Sequence, residues 1–444
     1  MSETKNGLLV GFARVEAMPD GPISLSGFSN EIQRVSRTAL DTLYTQCVAV
    51  SDAQDNTALI ITLDLVSPSV IAAKATDRVA QATGVPRENI YMNATHTHSG
   101  PALQKGTGCE AYVEKLCNKV VEAAVEAMAD RSPATMSVGR TNTEGINFVK
   151  HYLLDNGTYA GDNHGDFRSG RIVKHAAEAD PEIRVVKIDR EEKKSLVLAN
   201  WQAHPLLTSA IDKFDLSADF PASTREAFEA RVKDCLFVYL QGCSGDLNPR
   251  TYIHSEYYPR DYKAFGHILA HYAVQAMQKL QPMGGDKVLT KRVIYTVQVN
   301  HSQDHLSEKG KEVWSLFQAN GDRATATELA RKYGFHSVYH AGMMINRPNI
   351  GPTMEIELNT IALGDLAIVT TPVEYFNQLG VYVRKNSPYE MTLTLGYTNE
   401  RQGYMPSSEA YDYGCYEADI TFYAKGTGEL VADQLLSMLK ELKG

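Results

Sequence analysis

The chain has 444 residues, of which 44 are Lys or Arg and 53 are Asp or Glu, so its formal net charge is −9. A hydrophobic content of 43% and a charged content of 22% exclude a disordered or fibrous chain. The acidic balance excludes a nucleic-acid-binding groove, which needs clustered cations that face phosphates. The six cysteines include no CxxC pair, so the sequence favours a reducing compartment over a disulfide framework.

The N-terminus lacks the basic region and the apolar run of about 7–15 residues that form a secretory signal. No segment approaches the roughly 18 consecutive apolar residues of a membrane-spanning helix. We therefore expect a cytoplasmic protein without stable membrane association. The sequence indicates no oligomeric state.

Apolar segments of strand length alternate with segments of helical periodicity along the whole chain. Strands are predicted at 57–65, 90–95, 183–189, 195–201, 236–240, 288–299, 361–370 and 389–395. Helices are predicted at 67–83, 110–128, 221–232, 261–280, 323–333, 374–385 and 427–442. The segment 155–180, rich in Gly, Asn and Asp, is predicted to be a long functional loop.

This alternation predicts an α/β fold in which layered, mixed β-sheets are flanked by helices. No shift in composition divides the chain, and no internal repeat is present. We therefore predict that residues 1–444 form a single large catalytic domain, although about 150 residues per domain would suggest three.

The first candidate site residues follow the predicted strand 90–95. In the motif Thr-His-Thr-His-Ser-Gly-Pro at 95–101, His96 and His98 are two residues apart. Alternate residues of a strand point to the same face, so both imidazoles are expected to face one site. Histidines at a strand end suit a divalent metal or a proton transfer. The alternative for so short a motif is a pair of hydrogen-bonded structural histidines.

Four further polar clusters also follow predicted strands. They are His204-Pro205, the Gly-rich turn at 241–249, Glu374 after Pro372, and the segment 401–417, which carries several tyrosines. In α/β proteins, sites form at the carboxyl ends of strands. A Gly-rich turn can also present backbone N–H groups to an oxyanion.

In combination, these motifs resemble the neutral ceramidases. The segment 11–14 also resembles the first strand of that family, and the resemblance spans nearly the whole chain. The matching motifs, in the order of the family, are 95–101, Asn200-Trp201 with His204-Pro205, Gly245-Asp246 with Pro249, Pro372 with Glu374, and 404–417.

Neutral ceramidases are zinc amidases that cleave the amide of an N-acylated sphingoid base. The resemblance implies one Zn²⁺ per chain, with four ligands: His96, His204, Glu374 and Tyr404. Imidazoles, a carboxylate and a phenol oxygen suit such a metal. The resemblance also implies that His98 is a proton shuttle or oxyanion partner and that Tyr416 lies near the substrate carbonyl.

Two positions depart from the family pattern. Asn248 stands where the family has its catalytic serine, and Ser244 lies four residues away from that position. Asn248 cannot be a nucleophile, although its amide can donate a hydrogen bond, so the departure favours attack by zinc-activated water. Lys150 stands in a place comparable to a family arginine, and it keeps the positive charge but loses the bidentate fork.

The resemblance also bears on the substrate. Family members usually carry a C-terminal immunoglobulin-like domain, and the sequence shows neither this domain nor a signal peptide. These differences favour a soluble small amide over a membrane sphingolipid. We therefore predict a zinc-dependent amidohydrolase that cleaves the C–N bond of a small-molecule amide and has no nucleic-acid partner.

Three other functions stay open at this point. The protein is a true ceramidase if the family substrate is retained. A metal-dependent esterase or phosphoesterase would use similar His and carboxylate ligands, although phosphoester sites more often hold two metals and several aspartates. A catalytically inactive zinc-binding sensor is supported by Asn248 alone.

Two further histidine pairs are spaced four residues apart, His267/His271 and His336/His340. Neither pair has the Glu of an HExxH zinc helix, so structural roles are predicted, with the second pair in a loop that lines the pocket. Cys243 is predicted to be a small buried thiol rather than a nucleophile. Asp64, at the end of its strand, is predicted to orient a zinc-binding histidine.

Overall fold

The structure, a computed structural model, describes residues 7–28, 34–104, 108–161, 170–251, 253, 261–320 and 323–444. Within these ranges the chain forms 22 strands, numbered in chain order. They are β1 Leu8–Glu16, β2 Thr38–Ala39, β3 Tyr44–Ser51, β4 Thr57–Leu63, β5 Ile90–Ala94, β6 Ser132–Asn142, β7 Phe148–Val149, β8 His151–Leu154, β9 Tyr159–Gly161, β10 Ile172–His175, β11 Glu182–Arg190, β12 Ser195–Trp201, β13 Asp215–Leu216, β14 Cys235–Gln241, β15 Leu247–Asn248, β16 Gln281–Met283, β17 Val288–Gln298, β18 Thr353–Leu363, β19 Leu366–Thr370, β20 Glu374–Tyr375, β21 Met391–Leu395 and β22 Tyr404–Met405.

The same ranges contain 12 α-helices, none of which is long and apolar enough to cross a bilayer. Short 3-10 turns lie at Arg87–Asn89, Met277–Lys279, Asp304–Leu306 and Arg347–Asn349. The helices are α1 Ala72–Thr83, α2 Glu110–Ala129, α3 Leu207–Ile211, α4 Phe220–Arg231, α5 Tyr262–Ala276, α6 Ser307–Asn320, α7 Arg323–Lys332, α8 Val338–Met344, α9 Asn377–Asn386, α10 Ser408–Tyr413, α11 Tyr416–Ile420 and α12 Thr427–Lys443.

The larger sheet has nine strands. Its order is β14-β12-β11-β6-β1-β3-β4-β5, with β16 paired beside β6. The pairs β4/β5 and β12/β14 are parallel and lie at the two edges, whereas the pairs between them are antiparallel. His96, His204 and Asn248 follow the carboxyl ends of β5, β12 and β14.

The smaller sheet has four strands in the order β17-β18-β19-β21, of which β19 and β21 are parallel. A two-stranded parallel ribbon, β20/β22, follows the carboxyl ends of these two strands. In this ribbon Glu374 lies opposite Tyr404, so two of the predicted ligands are neighbours across the strands.

The two sheets pack face to face. One core cluster contains alternate residues of the larger sheet, such as Ile60 and Leu198, together with Ile361, Ile368 and Leu393 of the smaller sheet. Helices α1, α2, α4 and α5 bury their apolar faces on the outer side of the larger sheet, and α9 and α12 do so on the smaller sheet. The burial of these faces gives four layers, helix, sheet, sheet and helix, so the predicted α/β fold of layered mixed sheets flanked by helices is confirmed.

A helical insertion interrupts the hairpin of β17 and β18. Gln298 and Thr353 are paired across this hairpin, and residues 299–352 between them carry α6, α7 and α8. These helices share a small core of their own, which includes Val313, Ala330 and Met344. The insertion therefore packs as a unit beside the main layers.

Several predicted elements are present with nearly the predicted bounds, and strand 195–201 has them unchanged as β12. The single strand predicted at 361–370 is wrong. The apolar run continues through a hairpin turn at Gly364, whose φ of 63° reverses the chain between β18 and β19. The helix predicted at 374–385 also begins too early, because Glu374 pairs in β20 and α9 begins at Asn377.

The predicted long loop at 155–180 contains two short strands. β9 and β10 both pair with β8, which draws the ends of this segment into a three-stranded sheet. The part at 162–169 lies outside the described residues. The helix predicted at 67–83 begins later than expected, at Ala72.

The close contact between β1 and α2 yields a prediction. A Cβ atom at Gly11 would overlap the carbonyl oxygen of Ala127 in α2, so Gly11→Ala must push the helix away from the sheet. We expect the free energy of unfolding in urea to fall by roughly 1–3 kcal/mol, as for other overpacked cores.

Gly21→Ala is the matched control, because a Cβ atom there would meet no atom within 4 Å. Its urea midpoint should stay within the error of the unchanged protein. Equal midpoints for the two variants would contradict the close approach of β1 and α2.

Candidate metal centre

A cavity of about 570 Å³ lies at the carboxyl ends of strands from both sheets. All of the predicted site residues line it: His96, His98, Lys150, His204, Asn248, Glu374, Tyr404 and Tyr416. The other lining residues are Gly27, Phe28, Val66, Leu206, Ser337, Tyr339, Met343, Met354, Arg401, Gln402, Gly403, Ile420 and Phe422. The fold thus brings together residues that are spread over most of the sequence.

The His96 ring is held by its surroundings. Its backbone N–H donates to the Leu65 carbonyl at 2.8 Å, and its Nδ1 lies 2.7 Å from the Val66 carbonyl oxygen. The Tyr397 ring stacks on the imidazole with centroids 3.9 Å apart. Because Nδ1 faces a carbonyl, it carries the proton and leaves the Nε2 lone pair available.

The histidine motif differs from the expected strand alternation. β5 ends at Ala94, and His96 adopts the left-handed conformation with φ 68°, so the motif forms a loop rather than a pleated strand. The loop nevertheless brings the Nε2 atoms of His96 and His98 to 3.3 Å from each other. The two histidines therefore face one site, but a sharp turn and not the pleat places them there.

His204 joins this cluster from the neighbouring loop. Its Nδ1 lies 3.0 Å from the Leu247 carbonyl oxygen, and the N–H of His98 donates to the Pro205 carbonyl at 2.8 Å. The three imidazoles are buried, and each contributes one ring nitrogen to a group whose members lie within 4.8 Å of one another. The Nδ1 of His98 is buried without a hydrogen-bond partner among the described residues.

Glu374 adds a carboxylate to the three imidazoles. Its Oε2 lies 3.2 Å from His204 Nε2 and 3.5 Å from His96 Nε2. Its Oε1 accepts the Nε–H of Arg401 at 2.7 Å. Glu374 is 1% exposed, and Arg401 and the two imidazoles are the partners of its charge among the described residues.

The separations in this cluster fit a zinc ion. Bonds of about 2.0–2.1 Å in a tetrahedron place neighbouring donor atoms about 3.4 Å apart. Among the predicted ligands, His96 Nε2 lies 3.5 Å and His204 Nε2 lies 3.2 Å from Glu374 Oε2. His98 Nε2, which is not in the predicted ligand set, lies 3.3 Å from His96 Nε2. Neutral imidazoles and a carboxylate are also the donor types that zinc prefers.

The protonation states also suit a metal. Burial and two neighbouring imidazoles lower the pKa of His98 well below its usual value. Burial, assisted by Lys150, lowers the pKa of His204 to about 4. Burial alone would raise the pKa of Glu374, but Arg401 and the histidines hold it well below the ordinary value. At neutral pH His98 and His204 are therefore neutral and Glu374 is ionised.

Behind the cavity wall lies a buried network of charged groups. Lys150 Nζ lies 2.7 Å from Glu417 Oε1, and His151 Nε2 lies 2.7 Å from Glu417 Oε2. The Tyr413 hydroxyl is 2.9 Å from His151 Nδ1. Lys150 Nζ also lies 5.0 Å from the centroid of the Tyr404 ring. One carboxylate thus serves two cationic side chains beside the site.

Tyr404, Tyr416 and Asn248 complete the polar wall. The Tyr404 and Tyr416 rings meet edge to face with centroids 6.3 Å apart. Burial raises the pKa of both phenols well above the ordinary value, so both carry their protons at neutral pH in the absence of a metal. Asn248 is buried in β15, where it pairs with Phe148.

The Gly-rich turn at 241–249 has a structural role that the sequence did not indicate. The N–H groups of Gly242 and Gly245 donate to the carbonyls of Trp201 and Tyr375, so these two are not available to an oxyanion. A Cβ atom at Gly245 would overlap the carbonyl oxygen of Glu374. The absence of a side chain at Gly245 therefore lets β20 pack closely against the turn, and this contact sets the position of Glu374.

Ser244 and Cys243 lie outside the lining of the cavity. The Ser244 hydroxyl is within 2.8 Å of the Tyr397 hydroxyl and accepts a hydrogen bond from Gln241. Cys243 is buried, and burial raises the pKa of its thiol to about 11. The prediction of a small buried thiol is confirmed.

The remaining predictions concern Asp64 and the histidine pairs. Asp64 accepts the N–H of Tyr44 and lies 3.5 Å from Arg225, while the Val66 carbonyl faces Nδ1 of His96, so the predicted orienting role is wrong. The histidines of α5 are exposed, away from the cavity. His336 and His340 stack beside the cavity at the start of α8, and the wall there is a helix rather than a loop.

Sequence reasoning missed two residues that hold the site. Arg401 was part of a recognised cluster, but only the structure pairs it with Glu374. Tyr397, whose ring stacks on His96, has a φ of 52° in the segment after β21. Both lie in the segment between β21 and β22, and that position does not reveal their partners.

The network around His151 predicts a pH dependence of stability. Burial lowers the pKa of His151, but Cys415 and Glu417 raise it to about 10, so the imidazolium pairs with the Glu417 carboxylate. A histidine whose pKa is raised on folding contributes fully below its unfolded pKa and loses that contribution as pH rises. The free energy of unfolding of the unchanged protein should exceed that of His151→Gln, and this difference should fall by roughly 1–2 kcal/mol between pH 6.5 and 8.5.

Urea denaturation at a series of pH values measures this difference. His267→Gln, an exposed substitution on α5, should show no such trend. A constant difference between the protein and His151→Gln would mean that His151 is neutral in the fold.

Comparisons with known proteins bear on the fold. Comparison with models of protein families finds no match, and comparison with curated proteins finds none. A solved structure described as "Ceramidase complexed with C2" superposes with a TM-score of 0.74 at 14% identity, over 99% of this chain and 76% of that chain. Neutral ceramidase from Pseudomonas aeruginosa gives a TM-score of 0.72 at 15% identity, over 99% and 75%.

At these identities the likeness establishes the fold and not the activity. The match extends over nearly the whole chain, including the strands whose ends carry the cavity. The resemblance to the neutral ceramidases that the motifs predicted is confirmed at this level: the chain has the ceramidase fold.

Proposed function

We propose that this protein is a zinc-dependent amidohydrolase that cleaves the C–N bond of a small, soluble amide by means of an activated water. The observation that carries the proposal is the convergence of three buried imidazoles with Glu374 at one cavity. The solved structures of this fold that bear the name ceramidase support an amide as the scissile group.

The proposed ligands are His96, His204, Glu374 and Tyr404. The two imidazoles have Nδ1 directed at carbonyl oxygens, which leaves Nε2 for the metal, and Tyr404 lies opposite Glu374 in the β20/β22 ribbon. A zinc ion held here would lower the pKa of a bound water towards about 7 and polarise the substrate carbonyl. We therefore propose that these four side chains bind one zinc ion per chain.

The other polar groups would act on the substrate. His98, neutral and buried beside His96, is suited to accept a proton from the attacking water and to pass it to the leaving nitrogen. Tyr416 and the Asn248 amide are donors on the wall of the cavity, suited to hold the oxygen on which negative charge develops. Lys150 adds a positive charge on the same wall.

The size of the cavity supports a small substrate. Its volume of about 570 Å³ falls in the range of pockets that enclose a drug-sized molecule. Its lining residues run from Gly27 to Phe422, which supports one catalytic domain rather than several. The second candidate is hydrolysis of N-acyl sphingoid bases, favoured by the names of the structures with the same fold.

Metal content and turnover test the proposal together. The purified protein should hold one zinc ion per chain and cleave a member of a panel of short-chain N-acyl amines and ceramides. His96→Ala and His204→Ala should each lose the metal and reduce kcat/KM by roughly 100-fold or more, because each removes a ligand. His267→Ala, on the exposed face of α5, should retain both properties.

The contrary outcomes separate the alternatives. Zinc binding without cleavage of any amide would refute the amidohydrolase and favour a sensor. Ceramide cleavage much faster than that of every short-chain amide would refute the small substrate and favour the second candidate.

The proposed roles of Tyr404 as a metal ligand and of His98 as a proton carrier are tested by substituting each residue. If Tyr404 is a ligand and His98 a proton carrier, Tyr404→Phe should weaken zinc affinity by roughly 10- to 100-fold, as loss of coordination contacts does. His98→Ala should keep the zinc and lose turnover. Competition with a chromogenic chelator measures the affinities, and the reverse pattern would place His98 among the ligands.

A further inference from the structure

Two cationic side chains line the cavity, Lys150 and Arg401. Among the described lining residues Glu374 is the one carboxylate, and it belongs to the proposed metal centre. The described wall therefore offers a ligand more positive than negative charge. Each cation has one carboxylate partner, Glu374 for Arg401 and Glu417 for Lys150, and a neutral amide would add no further partner to either in a largely buried space, where charge is costly.

The guanidinium of Arg401 uses one of its N–H groups in a hydrogen bond. Its Nε–H donates to Glu374 Oε1 at 2.7 Å, and no other hydrogen bond of this guanidinium is present in the described part of the chain. The side chain is 33% exposed, towards the cavity that it lines. A guanidinium has further N–H groups in a planar fork, the geometry that binds a carboxylate through two hydrogen bonds.

Lys150 is held so that its charge is only partly compensated. Its partner Glu417 lies outside the lining of the cavity and divides its two oxygens between Lys150 and His151, each at 2.7 Å. Of the side chains that share Glu417, Lys150 is the one that lines the cavity. An anionic group of a ligand in the cavity would contact the ammonium of Lys150.

Another part of the wall is apolar. It is lined by Met343 of α8, Met354 of β18, Ile420 at the end of α11 and Phe422 just after that helix. Such a surface suits a hydrocarbon group and gives no partner to a polar one. A ligand that satisfies both parts of the wall has one apolar and one anionic end.

We infer that the substrate is an N-acylated amino acid whose carboxylate is bound by Arg401 and Lys150. The inference rests on the proposed function, because it names the molecule whose amide the metal centre would cleave. In the reaction the oxygen of water bonds to the carbonyl carbon, the C–N bond breaks, and a proton passes to the leaving nitrogen. The products are a carboxylic acid from the acyl part and a free amino acid.

The test compares two probes that differ in one group. N-octanoylglycine and N-octanoylethanolamine share the acyl chain and the amide, but only the first carries a carboxylate. The zinc-loaded protein should show kcat/KM at least about tenfold higher for the glycine compound, the scale of one charge-assisted contact. Calorimetry on the metal-free protein should show the same order of affinity without any turnover.

Arg401→Lys and Lys150→Met should each bring the ratio of the two kcat/KM values and the ratio of the two affinities towards one. A loss of activity through disturbed structure or metal would lower both probes equally and leave the ratios unchanged. Lys263→Met, an exposed substitution on α5, should preserve the ratios of the unchanged protein. The two variants are independent, so if one of them does not fold, the other still tests the binding of the carboxylate.

Equal or better cleavage and binding of the ethanolamine compound would overturn the inference while leaving the amidohydrolase in place. If neither probe nor any other amide is cleaved, the proposed function fails, and the calorimetric comparison still decides on the carboxylate site. Tighter binding of the glycine compound, lost in Arg401→Lys, would support that site, and equal binding would overturn it.

Discussion

A single buried amide, that of Asn93, joins the strands whose ends form the cavity. Its Oδ1 accepts the N–H of Gln241 in β14 at 2.9 Å, and its Nδ2 donates to the carbonyl of Gly396 beyond β21 at 2.7 Å. The contact therefore ties the two edge strands of the larger sheet, β5 and β14, to the smaller sheet. Because a buried amide without partners is costly, these three strand ends are held in one arrangement, and His96 follows only three residues later.

Two buried carboxylates then organise the charges around the cavity. Glu374 meets Arg401 on one oxygen and the imidazoles on the other, and Glu417 meets Lys150 and His151. Removing ions from water costs several kcal/mol each, and hydrogen bonds on every oxygen offset that cost. The arrangement resists rotation of either carboxylate, so the Glu374 oxygen that faces the imidazoles is held in place by the protein itself.

The sequence was sufficient for the layers and for eight of the residues that line the cavity, because strand ends and apolar periodicity are local properties. The sequence was insufficient where the local conformation depends on a contact with a residue far away in the chain. The left-handed turn at His96 depends on carbonyls at 65–66, and the pairing of Glu374 in β20 depends on Tyr404, thirty positions later. Arg401 illustrates the same limit, since its charge was visible in the motif but its carboxylate partner was not.

The insertion between β17 and β18 has a consequence for how such proteins diversify. It supplies Ser337, Tyr339 and Met343 to the wall of the cavity but none of the proposed metal ligands, and its helices have their own core. The insertion thus shapes part of the cavity wall without contributing a proposed ligand. Substitutions within residues 299–352 can therefore change the shape of the cavity while the histidine cluster and Glu374 stay as they are.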